Sequence, residues 1–110
     1  MKETQPSCNQ IQTTLNVIGG KWKPAILYLL SQNVMRFGQL HKNISGITQK
    51  MLTHELREME SQELVSRKVY PVVPPKVEYT LTAYGKTLQP LLKSMNEWGS
   101  KHTNRKNYSS

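Results

Sequence analysis

The stretch Arg36 to Glu60, RFGQLHKNISGITQKMLTHELREME, restricts the fold more than any other part of the chain. Phe37, Leu40 and Ile44 are three and four residues apart, the spacing of one helix face. Met51, Leu52, Leu56 and Met59 repeat that spacing further on. Between them Ser45-Gly46-Ile47 supplies turn chemistry, and Thr48 stands where a helix N-cap is expected. The pattern predicts two short amphipathic helices joined by a tight turn, the second running to about Gln62. At ~100° per residue, Gln49, Lys50, Thr53, His54 and Arg57 fall on one stripe opposite the apolar one. Amides, hydroxyls and cations on one exposed helix face suit the base edges and phosphates of a DNA groove. Any surface helix also carries a polar stripe, so the flanking sequence has to separate the two readings.

Two strand-like segments follow. Leu64 to Tyr70, LVSRKVY, sets Val65, Arg67 and Val69 against Ser66, Lys68 and Tyr70, and Val77 to Leu81 sets Val77, Tyr79 and Leu81 against Glu78 and Thr80. Period-two patterning with β-branched residues predicts a hairpin. Its connection, PVVPPK, is too rich in proline for a tight turn and predicts a stiff protruding loop ending near Lys76. A hairpin directly after the second helix of a helix-turn-helix is a wing, able to lay a cation on DNA backbone. Asn33-Val34-Met35, ahead of the reading helices, has a strand-like pair near Met35.

Helices are predicted on both flanks. Ser7 with Gln10 forms an S-x-x-Q capping box ahead of Ile11, Leu15 and Ile18, and Gly19-Gly20 ends that helix. Lys21-Trp22-Lys23-Pro24 opens a second helix whose AILYLL segment is almost wholly apolar, with Pro24 at its first position. Trp22 reads as a core anchor. The last helix starts at Thr82 and carries Tyr84, Leu88, Leu91, Leu92, Met95 and Trp98, with Pro90 set to kink or divide it. First and last helices together offer more apolar surface than one small core buries. The surplus predicts a homodimer interface built on Ile11, Leu15, Leu88, Leu92, Met95 and Trp98. The alternative is that both helices pack only on their own domain.

At 110 residues the chain is one domain. Its +8 charge favours a polyanionic partner. The excess lies outside the reading helix: residues 48–81 hold five Lys/Arg against five Glu, whereas each flank holds five against one. Lys23 and Arg36 from the basic flank and Lys68 and Lys76 from the predicted hairpin are candidate phosphate contacts, together with Thr48, whose hydroxyl or following N–H groups could hold a phosphate. The chain has no Asp, which removes Ser-His-Asp triads and most Asp-based metal or phosphoryl-transfer sites. His41, His54, His102 and Cys8 show no ligand spacing, and Gly19-Gly20 is a helix terminus rather than a nucleotide loop. No metal, cofactor or catalytic residue is expected. No apolar run approaches the ~18 residues of a membrane span, and the polar MKETQPSCNQ start is unlike a secretory signal. These features and the single cysteine point to the cytoplasm.

Cys8 falls in the first turn of the first predicted helix, where the dipole and free N–H groups favour a thiolate. It reads either as a redox-sensing thiol or as a small inert side chain. A lone cysteine can only link to another chain or to a small thiol.

Three segments, CNQIQTTLNVIGGKWKPAILYLL, RFGQLHKNISGITQKMLTHELREMESQELVSRKVY and VPPKVEYTLTAYGKTLQPLL, together resemble the HxlR-type transcription regulators. These are small bacterial winged helix-turn-helix proteins related to the MarR group. The resemblance runs from Cys8 to about Gly99, with Thr48 where Ser is common. It implies a mainly helical α+β fold with a small β-hairpin, the winged helix-turn-helix, over residues 8–99. Residues 1–7 would then be a flexible N-terminus and 100–110 a flexible basic tail. It further implies a homodimer, a repressor, on an inverted-repeat double-stranded DNA operator. The helix from Thr48 would enter the major groove, and the first and last helices would form the dimer interface. Several members sense electrophiles or oxidants through a cysteine placed like Cys8, which favours the sensing reading. Any small-molecule effector is left open. The alternative from another class is a winged-helix protein-interaction module without specific DNA binding.

Overall fold

A computed structural model of the chain describes residues 9–105. The elements in order are α1 (Asn9–Ile18), α2 (Lys23–Gln32), β1 (Met35–Arg36), α3 (Phe37–Asn43), α4 (Gln49–Ser61), β2 (Val65–Tyr70), β3 (Lys76–Leu81), a 3₁₀ turn (Gly85–Leu88) and α5 (Gln89–Thr103). It is the mainly helical winged helix-turn-helix expected, with the wing widened to a three-stranded antiparallel sheet of order β1-β3-β2. The strand-like pair near Met35 is β1, which pairs Met35 with Tyr79 and Arg36 with Glu78.

The core sits between α2, α3, α4 and the inner face of the sheet. Ile26, Leu27, Leu40, Leu52, Leu56, Met59 and Leu64 are its fully buried side chains. Trp22 packs partly buried against it, as an anchor should. Val65 pairs with Leu81 and Arg67 with Tyr79, so the hairpin expected from the alternation is present. Pro24 lies one position deeper in α2 than expected, because Lys23 already has helical geometry. The cost is small, since first-turn N–H groups lack intrahelical partners anyway.

Two helix termini fix where the wing leaves the reading unit. Thr48 caps α4, its Oγ1 accepting from the Met51 N–H at 3.0 Å. Gly46, in the turn before it, has φ +89°, the left-handed conformation that glycine tolerates best. At the other end Glu63 adopts φ 64°. The Leu64 N–H donates to the Met59 carbonyl and the Glu63 N–H to the Glu60 carbonyl, both at 2.9 Å, which is a Schellman termination with Glu63 in the place glycine usually takes.

Pro90 divides the last helical segment. Residues up to Leu88 form the 3₁₀ turn, and α5 begins with Pro90 in its first turn. α5 then continues to Thr103, past residue 99 where the folded part was expected to end. Trp98 stacks on His102 with ring centroids 4.9 Å apart, and the Thr103 hydroxyl donates to the Gly99 carbonyl at 3.0 Å. The predicted Ser7 cap, Cys8 and residues 106–110 lie outside the described residues.

Candidate nucleic-acid interface

α4 turns Leu52, Leu56 and Met59 into the core, which leaves its opposite side to solvent. Gln49, Lys50, His54 and Arg57 are exposed there and Thr53 is half-buried, so the structure brings all five predicted reading residues onto one face. His54 is held by its own helix: Nε2 lies 3.2 Å from Glu58 Oε2, one turn on.

The wing supplies a second set. Glu78 is at its centre, on the outer face of the middle strand. Arg36 of β1 stands opposite it on one side and Lys68 of β2 on the other. The Tyr70 hydroxyl donates to Glu78 Oε1 at 2.9 Å, and Lys76 Nζ lies 3.3 Å from Oε2. The Tyr70 hydrogen bond, then Lys76 and Arg36, hold the Glu78 carboxyl below its ordinary range against partial desolvation. Lys68 and Lys76 also sit over the Tyr70 ring, 4.9 and 4.7 Å from its centroid. One carboxylate and one aromatic ring thus gather three cations, Arg36, Lys68 and Lys76. These are the wing residues named from sequence as phosphate contacts.

Lys23 departs from that expectation. Its Nζ lies 2.7 Å from Glu55 Oε1 and 2.7 Å from Glu58 Oε1, and its side chain is only 14% exposed. Burial works to lower its pKa, but the two carboxylates outweigh that and hold it raised. An ammonium so engaged ties α2 to α4 and is not presented to a phosphate. Thr48, likewise, spends its hydroxyl on the Met51 N–H, which leaves only the N–H groups of Gln49 and Lys50 in the first turn for an anion.

Arg67 was not singled out from sequence. It is exposed, pairs with Tyr79 across the strands, and with Thr53, Arg57, Glu60 and Tyr79 lines the open crevice between reading helix and wing. Its Nε lies 3.5 Å from Glu60 Oε2. The available signal was a cation interrupting the apolar phase Val65, Val69. Burial pushes the Tyr79 hydroxyl pKa up in this crevice.

The residues expected at a dimer interface divide. Ile11, Leu15, Met95 and Trp98 are exposed, at 63%, 51%, 41% and 67%. Ile18 is the one buried residue of α1. Leu92 is a correction: it is 3% exposed and packs into its own domain, because α5 lies against α2 along that edge. Leu88 is half-buried against the same core. Leu91 and Tyr84, by contrast, join the exposed apolar set. Among the described residues no group of three or more His, Cys, Asp or Glu could hold a metal ion, and no helix is long and apolar enough to cross a membrane.

The model of the HxlR-like helix-turn-helix family matches residues 17–107. The uncharacterized HTH-type transcriptional regulator YdeP of Bacillus subtilis is 48% identical over 95 residues, covering 86% of this chain and 74% of that protein. Among solved structures, the redox regulator HypR in its oxidized form is similar with a TM-score of 0.81 and 47% identity, covering 84% of this chain and 95% of that one. The reduced form of the transcriptional regulator YodB from B. subtilis is similar with a TM-score of 0.74 and 34% identity, covering 88% and 96%. With the fold and its reading helix in place, these matches settle the assignment: the chain belongs to the HxlR-like helix-turn-helix family and is a transcriptional regulator, not an enzyme.

Proposed function

We propose that this regulator is a sequence-specific repressor that binds an inverted-repeat operator in double-stranded DNA as a homodimer, in the bacterial cytoplasm. The observation that carries the reading is the exposed stripe Gln49, Lys50, Thr53, His54 and Arg57 on the second helix of the helix-turn-helix. These side chains read base edges, while Arg36, Lys68, Lys76 and the first-turn N–H groups after Thr48 meet phosphate. The homodimer rests on Ile11, Leu15, Leu91, Met95 and Trp98, large apolar side chains left to solvent on α1 and α5. A helix as short as α1 is marginal in water without a surface to pack on. A second copy supplies that surface and sets the two reading helices at a fixed spacing.

The test is a gel shift on the DNA upstream of the chain's own gene and its neighbours, with salt titration. Arg57→Ala is expected to relax operator preference by ~1–3 kcal/mol. Lys76→Ala is expected to weaken binding to all sequences and to lower the salt slope by about 1. Equal, sequence-blind losses from both would refute this division. A complex insensitive to both salt and sequence would refute the DNA-reading function.

Cys8 directly precedes Asn9, the first residue of α1. In the proposed mechanism a peroxide or hypochlorous acid transfers an oxygen atom to the Cys8 thiolate, which loses two electrons to give a sulfenic acid while the oxidant leaves as water or chloride. A second thiol then displaces water to leave a disulfide. That thiol is Cys8 of a second copy or a small cellular thiol. The bond alters the spacing of the reading helices. Support comes from HypR, a redox regulator solved in oxidized and reduced forms, and from YodB, solved reduced and after diamide treatment. Non-reducing gels after diamide, with Cys8→Ser as control, decide it: unchanged operator affinity in the oxidised protein would leave Cys8 without a sensing role.

A further inference from the structure

The two carboxylate oxygens of Glu58 have separate partners. Oε1 lies 2.7 Å from Lys23 Nζ, and Oε2 lies 3.2 Å from His54 Nε2. The same ammonium is 2.7 Å from Glu55 Oε1. Lys23 is thus fastened to α4 at two points, and it holds Glu58 at a fixed position on the flank of the reading stripe. The Lys23 hydrogen bond and charge also keep the Glu58 carboxyl below its ordinary range. An ionised carboxylate accepts hydrogen bonds and donates none.

This one-sidedness has a consequence for the imidazole. In a neutral histidine one ring nitrogen carries the proton and the other is a bare acceptor, and the partner of one decides the other. A nitrogen facing an acceptor-only group must be the protonated one. Nε2–H therefore donates to Glu58, and Nδ1 is the nitrogen left for an outside partner. The His54 side chain is 66% exposed and stands at the edge of the reading face, next to Glu58. In the major groove the hydrogen-bond donors on base edges are the amino groups of cytosine N4 and adenine N6.

We propose that His54 is a specificity-determining residue that accepts a hydrogen bond at Nδ1 from a cytosine or adenine amino group, and that Glu58 and Lys23 are positioning residues that fix its tautomer. The assignment rests on the DNA-reading function above and adds the class of base edge that one side chain recognises. Glu58→Gln makes it distinctive. The new amide can give its single oxygen to Lys23, which turns its NH₂ toward His54. A donor facing Nε2 places the ring proton on Nδ1, so the outward nitrogen becomes a donor. The variant should then turn away from cytosine, whose edge carries only a donor, toward an acceptor such as guanine O6 or N7 or thymine O4 at the same operator position.

The experiment is selection from a random duplex library at pH 8 by the full-length wild-type protein, His54→Ala and Glu58→Gln. It is read by sequencing the bound duplexes, alongside ¹⁵N imidazole shifts of the free proteins, which distinguish protonated from bare ring nitrogens. Wild type should enrich cytosine or adenine at one position per half-site by roughly 3- to 10-fold, the discrimination of one net hydrogen bond. His54→Ala should lose preference at that position alone, and Glu58→Gln should exchange it while the other positions stay as they were. The shifts should show Nε2–H in wild type and Nδ1–H in Glu58→Gln. A wild-type motif that His54→Ala leaves unchanged, or an Nδ1–H ring in wild type, overturns the assignment alone. No enriched sequence with wild type overturns the DNA-reading function and this assignment together.

Discussion

The hydroxyl of Thr82 donates to the carbonyl oxygen of Glu63 at 2.6 Å, joining the exit of the wing to the end of the reading helix. Thr82 Oγ1 in turn accepts from the Gly85 N–H at 2.8 Å, and the Thr82 backbone N–H donates to the Leu64 carbonyl at 3.0 Å. One side chain therefore serves as acceptor and donor at a junction of three elements. Thr82→Val keeps the shape and removes every side-chain hydrogen bond of the threonine, the longer one to the Leu64 carbonyl included. It is expected to cost ~1–3 kcal/mol, because a backbone donor and a backbone acceptor both lose their partner. Urea unfolding should show the midpoint fall with an unchanged slope.

Glu63 holds a left-handed conformation that side chains disfavour by roughly 1–2 kcal/mol. Glu63→Gly relieves that cost but enlarges the freedom of the unfolded chain. The net expectation is a gain of about 0.5–1 kcal/mol, seen as a higher thermal midpoint with DNA affinity unchanged. A loss of stability would mean that the Glu63 side chain contributes more than its conformation costs.

Gly85 and Gly38 should respond oppositely to the same change. A methyl group on Gly85 would overlap the Leu64 carbonyl oxygen, a backbone atom that cannot turn aside, whereas one on Gly38 meets nothing within 4 Å. Gly85→Ala is expected to destabilise by ~1–3 kcal/mol or more. Gly38→Ala, inside α3, is expected to stabilise by roughly 0.5–1 kcal/mol. Thermal unfolding of the pair checks both signs at once.

Stability should fall at both ends of the pH scale through identifiable groups. Lys23 lowers the Glu58 pKa, and the Tyr70 hydroxyl, ahead of Lys76 and Arg36, lowers that of Glu78, both from an ordinary 4.5. A carboxyl with a depressed folded pKa binds its proton more readily when unfolded. Its contribution is thus complete above about pH 4.5 and is lost as pH falls through the folded value. Lys23 runs the other way: its pKa is raised above 10.5, so its contribution is complete below that value and disappears as pH rises through the folded one. In urea midpoints against pH, Lys23→Met should shrink both the acid and the alkaline fall. Glu78→Gln should shrink the acid fall alone. Identical alkaline limbs in wild type and Lys23→Met would contradict the assignment.

The parts legible in the sequence were those set by neighbours along the chain. Thr48 as a cap, the five predicted reading residues on one face and the hairpin itself depend on spacing of a few residues, and each is found as expected. Lys23 was misread because Glu55 and Glu58 meet it only once α2 packs on α4, and no local pattern encodes that approach. Leu92 and Met95 share one apolar stripe, but a stripe cannot tell which of its edges its own domain covers. Arg67 was assigned the correct strand face and still passed over. Period-two logic treats that face as core, whereas the core ends near Val65 and the crevice begins at Arg67.

The strand order β1-β3-β2 places the first strand, which enters the reading helices, beside the strand that returns from the wing. The chain leaves the sheet at Arg36, passes through α3, the turn and α4, and rejoins it at Val65. Both ends of the reading segment are thereby laced to one strand, β3, by backbone hydrogen bonds. Helix-turn-helix and wing must travel as a single rigid block. A signal that alters DNA binding then has no internal hinge within this block to act on. In the proposed homodimer it works by re-aiming one block relative to the other, through α1 and α5.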